Sequence, residues 1–532
     1  MMTMDSVLTA DCKRCKWGAR ALLTAFVMTL PMLVILLGGG TGTPAVWVRT
    51  TMASIRQGPD DKLHGGLLVE GFDQESCHSR YKSATYRRNP GRQPSKHLIS
   101  KLRRHEALQR RCGPGTAAYS AALDQLKSGK NAASSDCKYL VSISYRGLGN
   151  RILAAASAFL YALLTDRVLL VDPSNDMDAL FCEPFPNTTW LHPPGLFPLW
   201  SFGLDTPERH GKMRESGALR PEPDAPAFAY VHLDYNQTDY DKLFFCDEDQ
   251  RLLSGFQWLV MRTDSYIVPG TFLVETFREE LARMFPERDA VFHHLGRYLF
   301  HPSNHVWGLV TRYHDAYLAG AARRVGIQVR VFPWEPDSPE LLDRITRCTQ
   351  EEGLLPRVVN TEEELPAATT TRRGVKSVAV VITSLKGWYY EQVKGMYWEH
   401  AAAGGEMVVV SQPSHEEYQH YGVKSHEYKA WAEIYLLSLT DALVTTGKST
   451  FGYVAQGLAG IRPWVLLSGQ ANGTAGASSN LPCSRDVSME PCFHVAPLYD
   501  CKRMGDSGKI VPHVRHCEDV PTGLKLVDRE EW

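Results

Sequence analysis

Two Rossmann-like α/β lobes with a cleft between them, carried behind a single transmembrane helix, is the fold class the sequence predicts. Three observations predict it. Short, nearly all-apolar runs alternate with helical stretches across most of the chain, as in parallel sheets covered on both faces. The runs fall into two βα series, at about 130–320 and 323–470, and paired lobes of this kind leave a ligand crevice between them. Ahead of both lies an uncharged apolar stretch long enough to cross a bilayer. Composition sets the outer bounds. At 532 residues the chain holds two to four domains' worth of sequence. Apolar residues at 44% and charged residues at 22% exclude wholesale disorder. Fifty-eight Lys+Arg against 59 Asp+Glu exclude a generally basic nucleic-acid binder, so no nucleic-acid partner is expected.

Residues 1–20 read as a cytosolic tail and 21–40 as a transmembrane signal anchor. No charged residue occurs between Ala21 and Val48, while Lys13, Arg14, Lys16 and Arg20 sit just before the span. The positive-inside rule puts the tail in the cytosol and the rest in the secretory lumen. A cleaved signal peptide is the competing reading, disfavoured by the length of the uncharged stretch. Residues 41–76 read as a stem. The sequons at Asn187, Asn236 and Asn472 fall on the lumenal side and suit glycosylation there. Cys12 and Cys15 stay cytosolic. The other ten cysteines share an oxidising compartment and can form up to five disulfides.

Arg80 to Arg111 carries eleven Lys/Arg against one acid, Glu106. Within it, Ser95 and the spacing of Leu98, Ile99, Leu102 and Leu108 predict a capped helix ending at Gly113, packed on the fold with a solvated cationic face. A surface for anionic polysaccharide or membrane is the alternative. Lys138–Ser144, a Gly-rich turn, a buried helix over Ile152–Thr165 and a strand at Val168–Asp172 make a βαβ unit. Further strands are predicted at 325–332, 377–384, 405–412, 441–446 and 463–468, with helices over 426–439 and 451–460. The lobes are bounded as 77–322 and 323–532.

The chemistry concentrates at strand ends. Gly147-Leu148-Gly149-Asn150-Arg151 stands where a strand turns into a helix, and lets backbone N–H groups approach an anion at the positive helix end. A dinucleotide fingerprint would need glycine at 152, which is Ile; there is also no P-loop. Arg330 closes the strand VGIQVR and suits bidentate binding of a phosphate, with an interdomain salt bridge as its alternative. Lys448-Ser449-Thr450-Phe451-Gly452 forms a second phosphate seat between strand and helix. Three D-x-D strings, at Asp176/Asp178, Asp239/Asp241 and Asp247/Asp249, could hold a divalent cation on a diphosphate. None follows a buried strand, so all three are expected to be surface charge.

CKYLVSISYRGLGNRILAAASAFLYALLTDRVLLVD, HHLGRYLFHPSNHVWGLVTRYHDAYL, GIQVRVF, LLSLTDALVTTGKSTFGYVAQGL, SMEPCFH and VPHVRHCED resemble the plant xyloglucan fucosyltransferase family of type II Golgi enzymes, from about Cys77 to the C-terminus. The resemblance implies a GT-B-like fold, GDP-fucose as donor, and inverting α1,2 transfer of L-fucose to a terminal galactose of xyloglucan or arabinogalactan for cell-wall biogenesis. It also implies no metal or other cofactor. Arg330 then answers to the family arginine on the diphosphate, with Gly147, Gly149, Asn150 and Arg151 as the donor loop. Ser449, Thr450, Phe451 and Gly452 answer to the second donor segment, with Tyr453 adjacent. Asp264, in RTDSY, answers to an acidic residue considered for catalysis; its alternatives are direct base and acceptor-orienting hydrogen bond. Two departures stand out: Thr446-Gly447-Lys448 ahead of the donor segment, and Lys386-Gly387-Trp388 after Thr383-Ser384-Leu385. Both could alter acceptor choice or turn Lys448 toward a phosphate. The expected partners are GDP-fucose, a galactosylated glycan and the Golgi membrane, with a homodimer left open. Another nucleotide sugar, or a non-catalytic GDP-binding scaffold, are the rival functions.

Overall fold

The computed structural model describes residues 61–131, 135–174, 176–195, 197, 199–219, 225–359, 376–420, 422–466, 481–495, 497, 500–505 and 511–528. The predicted tail, anchor, most of the stem and Asn472 lie outside the described residues.

Two parallel sheets form the framework. The first contains β1 (Lys138–Ile143), β2 (Arg167–Val171), β3 (Phe228–Leu233) and β4 (Trp258–Thr263) in the order β2-β1-β4-β3. The second contains β5 (Arg323–Gln328), β6 (Ser377–Thr383), β7 (Met407–Ser411), β8 (Ala442–Thr446), β9 (Trp464–Leu466) and the short β10 (Ser484–Arg485), in the order β10-β9-β8-β5-β6-β7. Every neighbouring pair in both sheets runs parallel except β9–β10. The α/β reading of the sequence therefore holds. Strands β3 and β4 escaped it: FAYVHL and WLVMRT carry His232 and Arg262, which break the apolar run although both strands are buried.

Helices seal both sheets. Helix α1 (Lys96–Cys112) has the predicted cap, Ser95 Oγ accepting from Leu98 N at 3.0 Å. It buries Leu98, Leu102, His105 and Gln109, while Arg104, Arg110 and Arg111 stay exposed. Gln109 exchanges hydrogen bonds with the backbone of Leu169, at 2.8 and 3.0 Å, and so closes the outer edge of β2. Helix α2 (Leu148–Thr165) connects β1 to β2; among the described residues it alone is long and apolar enough to cross a membrane, but 83% of it is buried, as a core helix should be. Helices α3 (Val291–Leu299) and α4 (Asn304–Tyr313) lead to the second sheet, where α5 (Lys424–Leu437) precedes β8 and α6 (Thr450–Ala459) follows it.

The boundary between the halves is less clean than a cut at 322/323. Lys62–Trp532 forms one compact unit, and a single apolar cluster joins Leu140 and Leu169 of the first sheet to Ala379, Val381 and Leu443 of the second. Segments also cross. Arg87 donates to the carbonyls of Ser438 and Leu458, and Arg88 pairs with Asp441 at 3.0 Å. From the other end, Glu490 accepts from Tyr266 and from Phe292 N. Leu67 and Leu68, expected in the stem, are buried in the same core; the apolar pair gains by packing there.

All ten cysteines expected in the lumen are paired: 77–182, 112–137, 246–501, 348–483 and 492–517. Cys246–Cys501 ties the C-terminal segment back to the first half, and Cys492–Cys517 clamps that segment on itself.

Candidate active site

In open α/β sheets, ligands bind beyond the carboxyl ends of the strands, where strand order reverses. The first sheet reverses between β1 and β4, and the second between β5 and β8. The loops after β1, β5 and β8 meet around one cleft of about 880 Å³. Its lining includes Arg146 to Asn150 after β1, Gln328 to Trp334 after β5, and Lys448, Thr450 and Phe451 after β8. Tyr235, Glu433 and His494 also border it.

Helices α2 and α6 both begin here, and nearly touch. A Cβ on Gly149 would stand 2.6 Å from Thr450 Oγ1 and 2.9 Å from its carbonyl carbon, so only glycine permits the approach. Gly147 caps α2 without a side-chain hydrogen bond, and the first turn carries no acid. The first-turn N–H groups and the helix dipole together favour an anion.

The cations of the cleft are arranged for the same purpose. Arg330 N donates to Thr446 Oγ1 at 2.8 Å, and its guanidinium lies 4.8 Å from the centre of the Phe332 ring. Trp334, 77% exposed, stacks on Phe332 at 4.6 Å. Lys448 adopts φ 61°, held by donation from its backbone N–H to Asp519 Oδ2 at 2.8 Å. Among the described residues, no carboxylate lies within 4.0 Å of the side-chain nitrogens of Arg330 or Lys448. The acids of the cleft are occupied: Glu416 pairs with Lys429, Glu427 with Arg151, and Glu433 accepts from Ser414 Oγ at 2.5 Å. Burial pushes the Glu433 carboxyl up to about 7 against the pull of those Ser414 hydrogen bonds, which weakens its opposition to an anion.

Several sequence-predicted site residues sit behind the cleft rather than in it. Asp264, 1% exposed, follows β4. Its Oδ1 accepts from Ser144 Oγ at 2.5 Å and Tyr145 N at 3.0 Å, its Oδ2 from Arg146 Nε at 3.3 Å, and its carbonyl from Asn150 Nδ2 at 2.7 Å. It thus stitches the Gly loop to the adjacent strand end. Arg151 is buried, and its guanidinium pairs with Glu427 of α5 at 2.5 Å, so it locks two helices together and does not line the cleft. Ser449 turns its hydroxyl inward to accept from Gly452 N at 3.4 Å, and Gly452 packs on Thr445. Tyr453 is buried and donates to Asp519. Gly147, Gly149, Asn150, Arg330, Thr450 and Phe451 do line the cleft.

Two of the three D-x-D strings depart from the surface charge expected of them, while Asp178 is exposed as expected. Asp241 and Asp249 are buried, the former paired with Arg209 at 2.9 Å, the latter with His210 at 2.9 Å and Arg214 at 3.4 Å. Asp247 accepts from Thr276, and Asp176 stands 3.8 Å from Lys424 Nζ. None borders the cleft. Asn187 and Asn236 are exposed. Sequence reasoning missed Arg146, Tyr235, Glu433 and His494 as site residues. Tyr235 follows a strand that was not recognised, and His494 reaches the cleft from a distant C-terminal segment.

The comparisons with known proteins agree with this geometry. The family model described as xyloglucan fucosyltransferase matches residues 47–502. A galactoside 2-alpha-L-fucosyltransferase of Pisum sativum is 48% identical over 545 residues, covering 98% of this chain and 95% of the relative. One of Arabidopsis thaliana is 50% identical over 474 residues, covering 88% of this chain and 83% of the relative. The solved structure of a substituted Arabidopsis thaliana FUT1 in complex with GDP superposes with a TM-score of 0.79 at 49% identity, over 88% of this chain and 100% of that one. The chain belongs to the xyloglucan fucosyltransferase family.

Proposed function

We propose that the chain transfers L-fucose from GDP-fucose, with inversion, to the 2-hydroxyl of a terminal galactose on a cell-wall glycan, working in a GT-B-like cleft on the lumenal face of the Golgi membrane. The observation that carries this reading is the convergence of two helix N-termini with the cations Arg330 and Lys448 at paired sheet switch points. Glycosyl transfer passes through a state with oxocarbenium character. The leaving diphosphate must be stabilised as its bond to C1 breaks. Arg330 is suited to grip it bidentately, Lys448 to add charge, and the first turn of α2 to donate backbone N–H groups. Asp264 shapes the donor loop. The exposed Asn187 and Asn236, and the five disulfides, support exposure to the secretory lumen.

The test is fucose transfer by the full chain from GDP-fucose across a panel of galactosides, for wild type and Arg330→Ala. Wild type should fucosylate at least one terminal galactoside. Losing an aligned charge partner of the leaving group should cost about 10²–10³-fold in transfer. Full activity of Arg330→Ala, or transfer only from a non-guanosine donor, would remove the assignment.

A further inference from the structure

A hydrogen-bonded chain of four side chains, Asp519, Tyr453, His494 and Tyr235, ends in the cleft. Tyr453 Oη donates to Asp519 Oδ2, His494 Nε2 lies 3.2 Å from Tyr453 Oη, and His494 Nδ1 lies 3.1 Å from Tyr235 Oη. The chain has a direction. A carboxylate only accepts, so the Tyr453 proton points to Asp519. The phenol oxygen of Tyr453 must then accept from His494, which puts the imidazole proton on Nε2. Nδ1 is left with its lone pair, aimed at the Tyr235 hydroxyl on the cleft side. The order carboxylate, hydroxyl, imidazole, lone pair is that of a base held in one tautomer and supported from behind. The Cys492–Cys517 disulfide ties together the two segments that carry His494 and Asp519, each two residues after one of its cysteines.

We propose that His494 is the general base of the transfer: its Nδ1 takes the proton of the acceptor hydroxyl, which occupies the place that Tyr235 Oη fills in the resting site. This rests on the fucosyltransferase reading. The bond between the acceptor oxygen and fucose C1 forms as the bond from C1 to the β-phosphate oxygen of GDP breaks. GDP leaves with the electron pair, the hydroxyl proton moves to Nδ1, and Asp519 stabilises the imidazolium through Tyr453. Asp519 and Tyr453 are positioning residues in this scheme. Asp264, with its oxygens committed to the donor loop, has no part in the proton transfer.

The charges facing His494 make its basicity depend on the donor. Burial lowers the imidazole pKa, Asp519 pulls it back up, and Lys448 and Arg330 press it down again. Tyr235 carries the Arg146 guanidinium 4.9 Å above its ring. A bound diphosphate would cancel the effect of Lys448 and Arg330, so the base would strengthen when the donor is in place. The acid limb of kcat should then lie at higher pH than that of kcat/KM for GDP-fucose.

The full chain is assayed as wild type, His494→Gln and Tyr453→Phe for fucose transfer over a range of pH, with GDP-induced thermal shift as the measure of folding and donor binding. His494→Gln should keep the GDP shift, lose about 10²-fold in kcat and lose the acid limb. Tyr453→Phe should move that limb to lower pH, because the carboxylate no longer supports the imidazolium. Transfer by His494→Gln within threefold of wild type, or a fall with the acid limb unchanged, overturns the proposal. If His494→Gln binds no GDP, Tyr453→Phe decides: an unmoved limb overturns it. A wild type that fucosylates no galactoside overturns the function reading first, which separates the two failures.

Discussion

Helix α2 starts at a bare glycine, whereas α6 starts at a serine that caps itself. Both starts face one cleft, yet they are equipped for different work. Gly147 leaves the first-turn N–H groups of α2 without a side-chain cap. Ser449 spends its hydroxyl on Gly452 N, and Asp519 takes the N–H of Lys448. The first start is open to an anion through its backbone; the second uses its backbone to fix a strained loop, and offers the Lys448 side chain in its place. A third start shows what a closed one looks like. Helix α3 is plugged by Glu490, whose carboxyl group accepts from Phe292 N at 2.7 Å and from Tyr266 Oη at 2.6 Å. A protein that fills one helix start with its own carboxyl group and leaves another bare, between cations, reserves the second for a ligand.

The closeness of the two cleft starts is the first thing to break. A Cβ at Gly149 meets Thr450 backbone at 2.9 Å, so Gly149→Ala must push α2 and α6 apart. A displacement of about 1 Å in such a site can cost about 10²-fold, and transfer should fall by at least that. Gly147→Ala is the control. Its Cβ would meet the Gln419 side chain at 3.1 Å, which can move, and Asn150 Oδ1 at an ordinary 4.0 Å; transfer should stay within about threefold. Equal effects would mean that the contact between the starts does not matter.

The next effect should come from Asp264→Asn. An amide cannot accept on both atoms, so the bonds from Ser144, Tyr145 and Arg146 cannot all survive. With the donor loop loosened, transfer and GDP-fucose hydrolysis should fall together, by about 10-fold each. Hydrolysis spared while transfer collapses would return Asp264 to the role of base.

Much of this was legible in the sequence, for identifiable reasons. The apolar runs of β1, β2, β5, β6, β8 and β9 announce themselves, since most of their residues are buried between helices, and β7 reads as a strand from its valines although Met407 and Val409 are exposed. GLGNR and KSTFG stand at strand–helix turns, so their places in the cleft could be expected. Side-chain direction could not. Arg151 and Ser449 belong to the right motifs yet face inward, because each satisfies a buried partner, Glu427 and Gly452 N. Asp241 and Asp249 looked like surface charge because two of their partners, Arg209 and His210, lie 32 and 39 residues away in sequence. His494 and Asp519 were hidden for the same reason: tertiary folding of a short, loop-rich C-terminal segment brings them to Tyr453, and no local period marks such a contact.

The plugged start gives a pH signature. Burial pushes the Glu490 carboxyl up to about 8, against hydrogen bonds from Tyr266 and Phe292 that favour the charged form. A carboxyl raised in the folded state above its unfolded value of 4.5 binds more protons folded than unfolded. Its contribution to stability is present below the unfolded value and is lost as pH rises through about 8. Urea unfolding at intervals across that window should show wild type losing stability, and Glu490→Gln losing much less. Parallel curves would mean that Glu490 holds its charge, and that α3 is plugged by an anion after all.

The smallest effect should come from Ser449→Ala. The hydroxyl is buried and accepts from Gly452 N, so its loss removes a helix cap worth about 1 kcal/mol. That predicts a lower Tm with donor KM within about threefold of wild type, since the open N–H groups and the cations of the cleft are untouched. A large rise in donor KM at unchanged Tm would place the Ser449 hydroxyl on the ligand. Helix α6 would then be an open start like α2, and the division of labour between them would fail.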